Sequence, residues 1–389
     1  MPGIADYPLV AFGLLWPALV AEQTSEFSAA VAHGLVDLAD GAHDGPHLVE
    51  PGWVTSNEVV LELASVRLRR FGKPTSRRPT LICAPFALHA ATVTDVAPGY
   101  SLVEALQATL SGPVHVTDWR SADANSGART IDDYVADLNV LIDELGGNVD
   151  LIGLCQGGWM GLAYAARFPG KVRRLVLAGA PIDIAAGNSA VSRLALSTPF
   201  GVFQELVGLG GGRMLGRQLL RFWEPKSLDS TEIHSTLQSS DAIDTNAFGR
   251  LEARFREWYA WTMNLPGRYY LEVIERLYLK NEIARGDFQI LGRRIDLASV
   301  TIPIYLLAAR DDHVVAQEQV IGLRRLVGTP ASALAQAIAP CRHLGLFMGR
   351  RTLANEWREI ARWLMQPDTA TIAPRRGPTH DVRCHDLDT

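Results

Sequence analysis

Cysteine is scarce in this chain. Four residues in 389, at positions 83, 155, 341 and 384, show none of the paired CxxC spacings that hold a metal ion or run redox exchange. No metal centre or disulfide framework is therefore expected, and the four read as free thiols in a reducing compartment. Positive charge is also in short supply: 37 Lys and Arg against 42 Asp and Glu leave a formal charge of −5, with no basic run. No nucleic-acid partner is expected. Long apolar runs are missing too. The opening MPGIADYPLVAFGLLWPALVAEQ has no basic leader, carries Asp6 and Pro17, and is too short in its apolar part to span a bilayer. It reads as an N-terminal helical segment over residues 1–50 that docks on its own core or touches an apolar partner surface, in a cytoplasmic protein.

Apolar residues make up 48% of the chain, enough for a sizeable core. Runs of buried-strand length recur at TLICA (80–84), VHVTD (114–118), VDLIGL (149–154), RRLVLAG (173–179) and IPIYLLAA (302–309), most of them separated by helical patterns. That alternation implies an α/β fold with a mostly parallel central sheet and helices on both faces. Ahead of it, EVVLELASVRLRR (58–70), punctuated by Gly72-Lys73-Pro74 and Ser76–Pro79, suggests an opening hairpin. The helix after Thr130 is marked by a capping box to Asp133 and stopped by Gly146-Gly147. Between about 185 and 285 the pattern turns to Gly-interrupted, aromatic-rich helical segments, read as an inserted, mainly helical cap. The GLGGGR stretch (208–213) within it departs from a phosphate loop at Arg213 and reads as a flexible hinge. Residues 367–389 are polar, with Pro and Gly, and are expected to be disordered.

One turn carries chemistry. DLIGLCQGGWMG (150–161) has the strand, tight turn and helix of a nucleophile elbow, but Cys155 stands where G-x-S-x-G has its serine. A thiol at a helix N-terminus feels the positive end of the helix dipole, which favours thiolate. The N–H of Gln156 would face a tetrahedral oxyanion there, with a second donor from Phe86 or Ala87 in the loop after TLICA. The bland alternative is a cysteine that simply packs. An elbow nucleophile requires a carboxylate and a histidine later in the chain, in that order. Arg310-Asp311-Asp312 closes the IPIYLLAA run, and His343 follows a last short strand; Asp312 is chosen as the acid and His343 as the base. Trp159, His89 and His313 are candidates for the substrate pocket.

These segments carry a resemblance. VDLIGLCQGGWMGLAYAARFPGKVRRLVLAGAPIDI and LPGRYYLEVIERLYLKNEIARGDFQILGRRIDLASVTIPIYLLAARDDHVV resemble the polyhydroxyalkanoate synthase family and its relatives, the intracellular polyhydroxyalkanoate depolymerases. The resemblance runs roughly from residue 50 to 366. It implies an α/β-hydrolase catalytic domain over 51–366 in which Cys155 accepts the acyl group, with His343 as base and Asp312 as its carboxylate. It also implies (R)-3-hydroxyacyl-CoA as the substrate, polymer as the product, and coenzyme A as part of the substrate rather than a cofactor. A homodimer or a second synthase subunit, and the polymer granule surface, are the implied partners. The Asp312-His313-Val314 site and the Cys-Gln-Gly-Gly turn resemble a synthase, whereas HLGLFMGRR (343–351) and HAAT (89–92) resemble a depolymerase. Cys341-Arg342 departs from the small residues usual before the histidine. Synthesis is the leading reading, intracellular polyester hydrolysis the second, and a catalytically idle granule-associated protein the third.

Overall fold

The computed structural model describes residues 49–223, 228–238 and 244–367, so the expectations for 1–48 and 368–389 lie outside the described residues. Strands β1 (Asn57–Glu62) and β2 (Val66–Phe71) form an antiparallel hairpin. Its turn lies at residues 63–65, inside the stretch read as strand, and the Gly and Pro cluster at 72–79 instead connects β2 to β3 (Thr80–Cys83). β4 (Val114–Trp119), β5 (Val149–Leu154), β6 (Val172–Ala178), β7 (Ile304–Ala309) and β8 (Leu334–Ala339) complete an eight-stranded sheet in the order β1-β2-β4-β3-β5-β6-β7-β8. From β4 through β8 every pairing is parallel, and only the hairpin and its junction with β4 are antiparallel.

The runs of Val, Ile and Leu in the sequence reflect this position. Every residue of β3, β4, β5 and β7 is buried, as strands covered on both faces must be. Helix α1 (Ile131–Glu144) opens on the capping box of Thr130 and Asp133 and buries Ile131, Tyr134, Val135, Leu138, Leu141 and Ile142, the spacing of a one-sided helix. Helix α2 (Gln156–Arg167) follows β5 after a single residue.

Between β6 and β7 lie helices Ala190–Ser197, Phe200–Leu209 and Gly216–Trp223, then α3 (Ser230–Leu237), α4 (Thr245–Ala260) and α5 (Gly267–Glu272), the last running into a π-helical turn, Val273–Leu279. The GLGGGR stretch is a packed turn rather than the loose hinge expected. Gly211 and Gly212 take φ of 63° and 84°, a Cβ on Gly210 would meet the Arg213 carbonyl at 2.0 Å, and the Gly212 carbonyl accepts the Gly267 N–H at 2.9 Å. Among the described residues no helix is long and apolar enough to cross a membrane.

A buried histidine in the sheet adds to the acid sensitivity of the fold. His115 on β4 is 3% exposed, and its Nδ1 has no hydrogen-bond partner among the described residues. Burial, with the nearby Arg70 guanidinium adding to it against a hydrogen bond at Thr80, pushes its pKa down to about 4. The unfolded chain takes up this proton as pH falls from about 6.5 to 4 and the native state does not, so stability drops through that window, by roughly 2–4 kcal/mol. His115→Phe is expected to flatten the fall. Urea midpoints at pH 7 and pH 4.5 measure it, and an equally steep fall in the variant would place the acid sensitivity elsewhere.

Candidate active site

The turn between β5 and α2 holds Cys155 at φ 48° and ψ −118°. A non-glycine residue keeps such a conformation only where its surroundings impose it, and here three glycines show how. A Cβ on Gly153 would come within 2.5 Å of the Gly158 Cα, one on Gly157 within 2.1 Å of the Cys83 carbonyl oxygen, and one on Gly158 within 2.3 Å of the Ala180 Cβ. The helix start is thus pressed against the ends of β3 and β6, and the thiol is thrust out of the turn. Cys155 is half-buried, while Cys83 and Cys341 are buried. Among the described residues no hydrogen bond takes the N–H of Gln156, Phe86 or Ala87. The start of α2 and the loop after β3 therefore present free donors beside the elbow.

Asp312 follows β7 by three residues. Its Oδ1 accepts the N–H groups of Val314 and Val315, each at 2.9 Å, which fixes the carboxylate. Its Oδ2 lies 2.8 Å from His343 Nδ1, with side-chain exposures of 1% for Asp312 and 6% for His343. Asp311 is exposed, and its N–H donates to the Cys341 carbonyl. It is Asp312 that reaches the histidine. The Cys155 sulfur is the other group that acts on the His343 imidazole. Burial pulls this imidazole's pKa down, but the Asp312 carboxylate and the Cys155 sulfur together outweigh it and hold it well above the usual range. The net direction favours the protonated imidazole, with the Asp312 carboxylate accepting at Nδ1.

The other expected site residues fare differently. Arg342 does not crowd the base: it is exposed and pairs with Glu232 in the first turn of α3 at 3.4 Å. Trp159 does not line a pocket. It is 0% exposed, its ring meets Phe288 edge-on, and its indole N–H donates to the Gln156 side-chain oxygen at 2.5 Å. His313 is exposed, with its carbonyl accepting the Ala190 N–H, and no hydrogen bond among the described residues joins its ring to the three. His89 packs against Trp258 and Tyr259, 4.6 and 4.8 Å between ring centres, and its Nδ1 approaches the Trp261 carbonyl at 3.4 Å. Burial pushes it down to about 4, so it is neutral at pH 7 and ties the loop after β3 to the end of α4.

Two tyrosines went unread in the sequence. Tyr269 on α5 is buried, and its hydroxyl donates to the Phe86 carbonyl at 3.4 Å. Tyr278 in the π-helical turn accepts the Gln156 side-chain amide at 3.1 Å. Burial first, with the Cys155 sulfur contributing, keeps both phenols protonated. The spacing of LPGRYYLEVIERLYLKN shows an aromatic helix, but a π-turn leaves no mark in the periodicity, so which hydroxyls face the elbow is decided by tertiary packing.

The family model for the alpha/beta hydrolase fold matches residues 95–349. The chain belongs to that family. Within it, the chain is similar over most of its length to proteins named poly(3-hydroxyalkanoate) polymerase subunit PhaC. It is 24% identical to the one from Allochromatium vinosum over 362 residues, covering 90% of this chain and 97% of that one. It is 25% identical to that of Haloferax mediterranei, covering 90% of this chain and 72% of that one, and 26% identical to that of Synechocystis, covering 88% and 92%. Cys155, Asp312 and His343 are brought together here from beyond the ends of β5, β7 and β8.

Proposed function

We propose that this chain is an acyltransferase that polymerises (R)-3-hydroxyacyl-CoA into polyhydroxyalkanoate with release of coenzyme A. The observation that carries the reading is the pairing of a thiol, rather than a hydroxyl, with the His343–Asp312 couple at the elbow. Its support is the similarity over about nine-tenths of the chain to polymerase subunits. A thioester on Cys155 is close in energy to the incoming CoA thioester, so acyl transfer onto the enzyme is nearly balanced, and the same thioester remains reactive toward an alcohol. A serine ester would hold the acyl group too well.

In the first half-reaction the Cys155 sulfur attacks the thioester carbonyl carbon while its proton rests on His343. The oxyanion forms against the N–H of Gln156 and that of Phe86 or Ala87. Collapse breaks the carbon–sulfur bond to coenzyme A, which leaves with the proton from His343. In the second half, the hydroxyl of another hydroxyacyl unit gives its proton to His343 and attacks the acyl carbon. The bond to Cys155 then breaks, an ester forms, and the thiol regains its proton.

The test follows both products at once. Purified protein, supplemented with a lysate fraction that supplies a second synthase subunit, is expected to release CoA from (R)-3-hydroxybutyryl-CoA and convert most acyl groups into insoluble polymer. Soluble 3-hydroxybutyrate as the main product would mean that water reaches the acyl-enzyme, and a hydrolase reading would replace this one. Release of monomer from amorphous granules without turnover of the CoA ester would establish a depolymerase. Failure to turn over either substrate or a p-nitrophenyl ester would leave the granule-associated, idle reading.

A further inference from the structure

The Gln156 side chain is held between two partners of unequal kind. On one side is the indole N–H of Trp159, 2.5 Å from Oε1, and on the other the Tyr278 hydroxyl, 3.1 Å from Nε2. An indole N–H can only donate, so the amide must turn its oxygen to Trp159 and its NH₂ to Tyr278. Tyr278 therefore accepts from Gln156, and its own O–H proton is left to give. No other hydrogen bond to that hydroxyl exists among the described residues. The phenol is buried, and the group it faces electrostatically is Cys155, although no hydrogen bond joins the two. The phenol is thus a buried donor tied to the side chain of the residue that follows Cys155.

We propose that the Tyr278 hydroxyl donates a hydrogen bond to the oxygen of the acyl group carried on Cys155, and that Trp159 and Gln156 orient it for that purpose. This rests on Cys155 being the acyl-accepting nucleophile, as argued above. Tyr278 thereby joins the backbone donors as a catalytic residue supplied by the π-helical turn. A bend of that kind, which interrupts regular helix to aim a side chain, is frequent at functional sites. Trp159 and Gln156 are positioning residues, because they act through the phenol.

The test separates acyl chemistry from thiol reactivity. The probe for the first is the burst of p-nitrophenol from p-nitrophenyl butyrate, and for the second the rate of iodoacetamide alkylation at Cys155, which forms no oxyanion. Tyr278→Phe removes one oxygen from a well-packed ring. It is expected to slow the acylation burst by about 10- to 100-fold, with KM and the alkylation rate each within about threefold of wild type. Gln156→Leu, which removes the amide that sets the phenol's orientation, is expected to slow the burst by a smaller factor, again without slowing alkylation. An unchanged burst in Tyr278→Phe would overturn the inference. So would a parallel fall in burst and alkylation in both variants, since that is the mark of a role in packing alone. A wild-type protein whose Cys155 neither acylates nor alkylates would overturn the nucleophile reading itself, a result distinct from the other two.

Discussion

Cys155→Ala is expected to abolish acyl transfer, a loss of about 10⁴-fold or more, while the protein folds normally. The loss is large because, among the described residues, the other cysteines, Cys83 and Cys341, are buried. Burial also pushes both of their thiols up to about 12, so neither is thiolate at neutral pH. The same contrast makes Cys155 the one cysteine among those described that iodoacetamide should label, with activity lost in proportion. The fold survives because the strained turn is imposed by the contacts of Gly153, Gly157 and Gly158, none of which involves the thiol. Cys155→Ser keeps a nucleophile beside His343 and should retain weak esterase activity, its ester being a poorer acyl donor than a thioester. The checks are CoA release, a p-nitrophenyl ester assay, and mass-spectrometric mapping of the alkylated peptide. Full activity in the alanine variant would remove Cys155 from the mechanism.

What could be read from the sequence here is what a single segment encodes. The buried strands declare themselves by apolar runs, and α1 by its capping box and one-sided pattern. The elbow is visible because three glycines and a cysteine lie within six residues. The choice between Asp311 and Asp312 was harder, since both end the same run; in the fold it is Asp312, fixed by two backbone N–H groups, that lies 2.8 Å from His343. Trp159 was misread for a physical reason. One turn into α2 is close to the nucleophile in sequence, but that face of the helix looks into the core, so the indole supports the site from beneath instead of lining it. Arg342 posed the reverse problem: bulk beside a base looks obstructive until the chain's direction is known, and here it leads out to Glu232. The tyrosines of the segment between β6 and β7 were hidden because their contacts span more than a hundred residues of chain.

Asp312→Asn should cost about 10²- to 10⁴-fold in turnover, His343→Ala thousands-fold, and Asp311→Asn little. The ranking follows from position: Asp311 is exposed, while the Asp312 side chain is held in place and touches the imidazole at 2.8 Å. In Asp312→Asn the amide oxygen is free to face the backbone donors of Val314 and Val315, which turns an NH₂ group toward Nδ1 and favours the tautomer with its proton on the wrong nitrogen. The electrostatic consequence can be measured separately. His343 is pulled down by burial and held up by Asp312, with Cys155 assisting; without the carboxylate, burial is opposed only by the sulfur, and the imidazole's pKa must fall. A folded value raised above about 6.5 also means that His343's proton stabilises the native state fully below that pH and loses its effect as pH rises through the raised value. The wild type should therefore show a stability term that fades on the alkaline side and that Asp312→Asn lacks. Titration of the His343 ring protons by NMR, with urea midpoints from pH 6 to 10, tests both. A ring that titrates alike in wild type and variant would break the link between Asp312 and the base, and a larger loss at Asp311 than at Asp312 would move the acid to its neighbour.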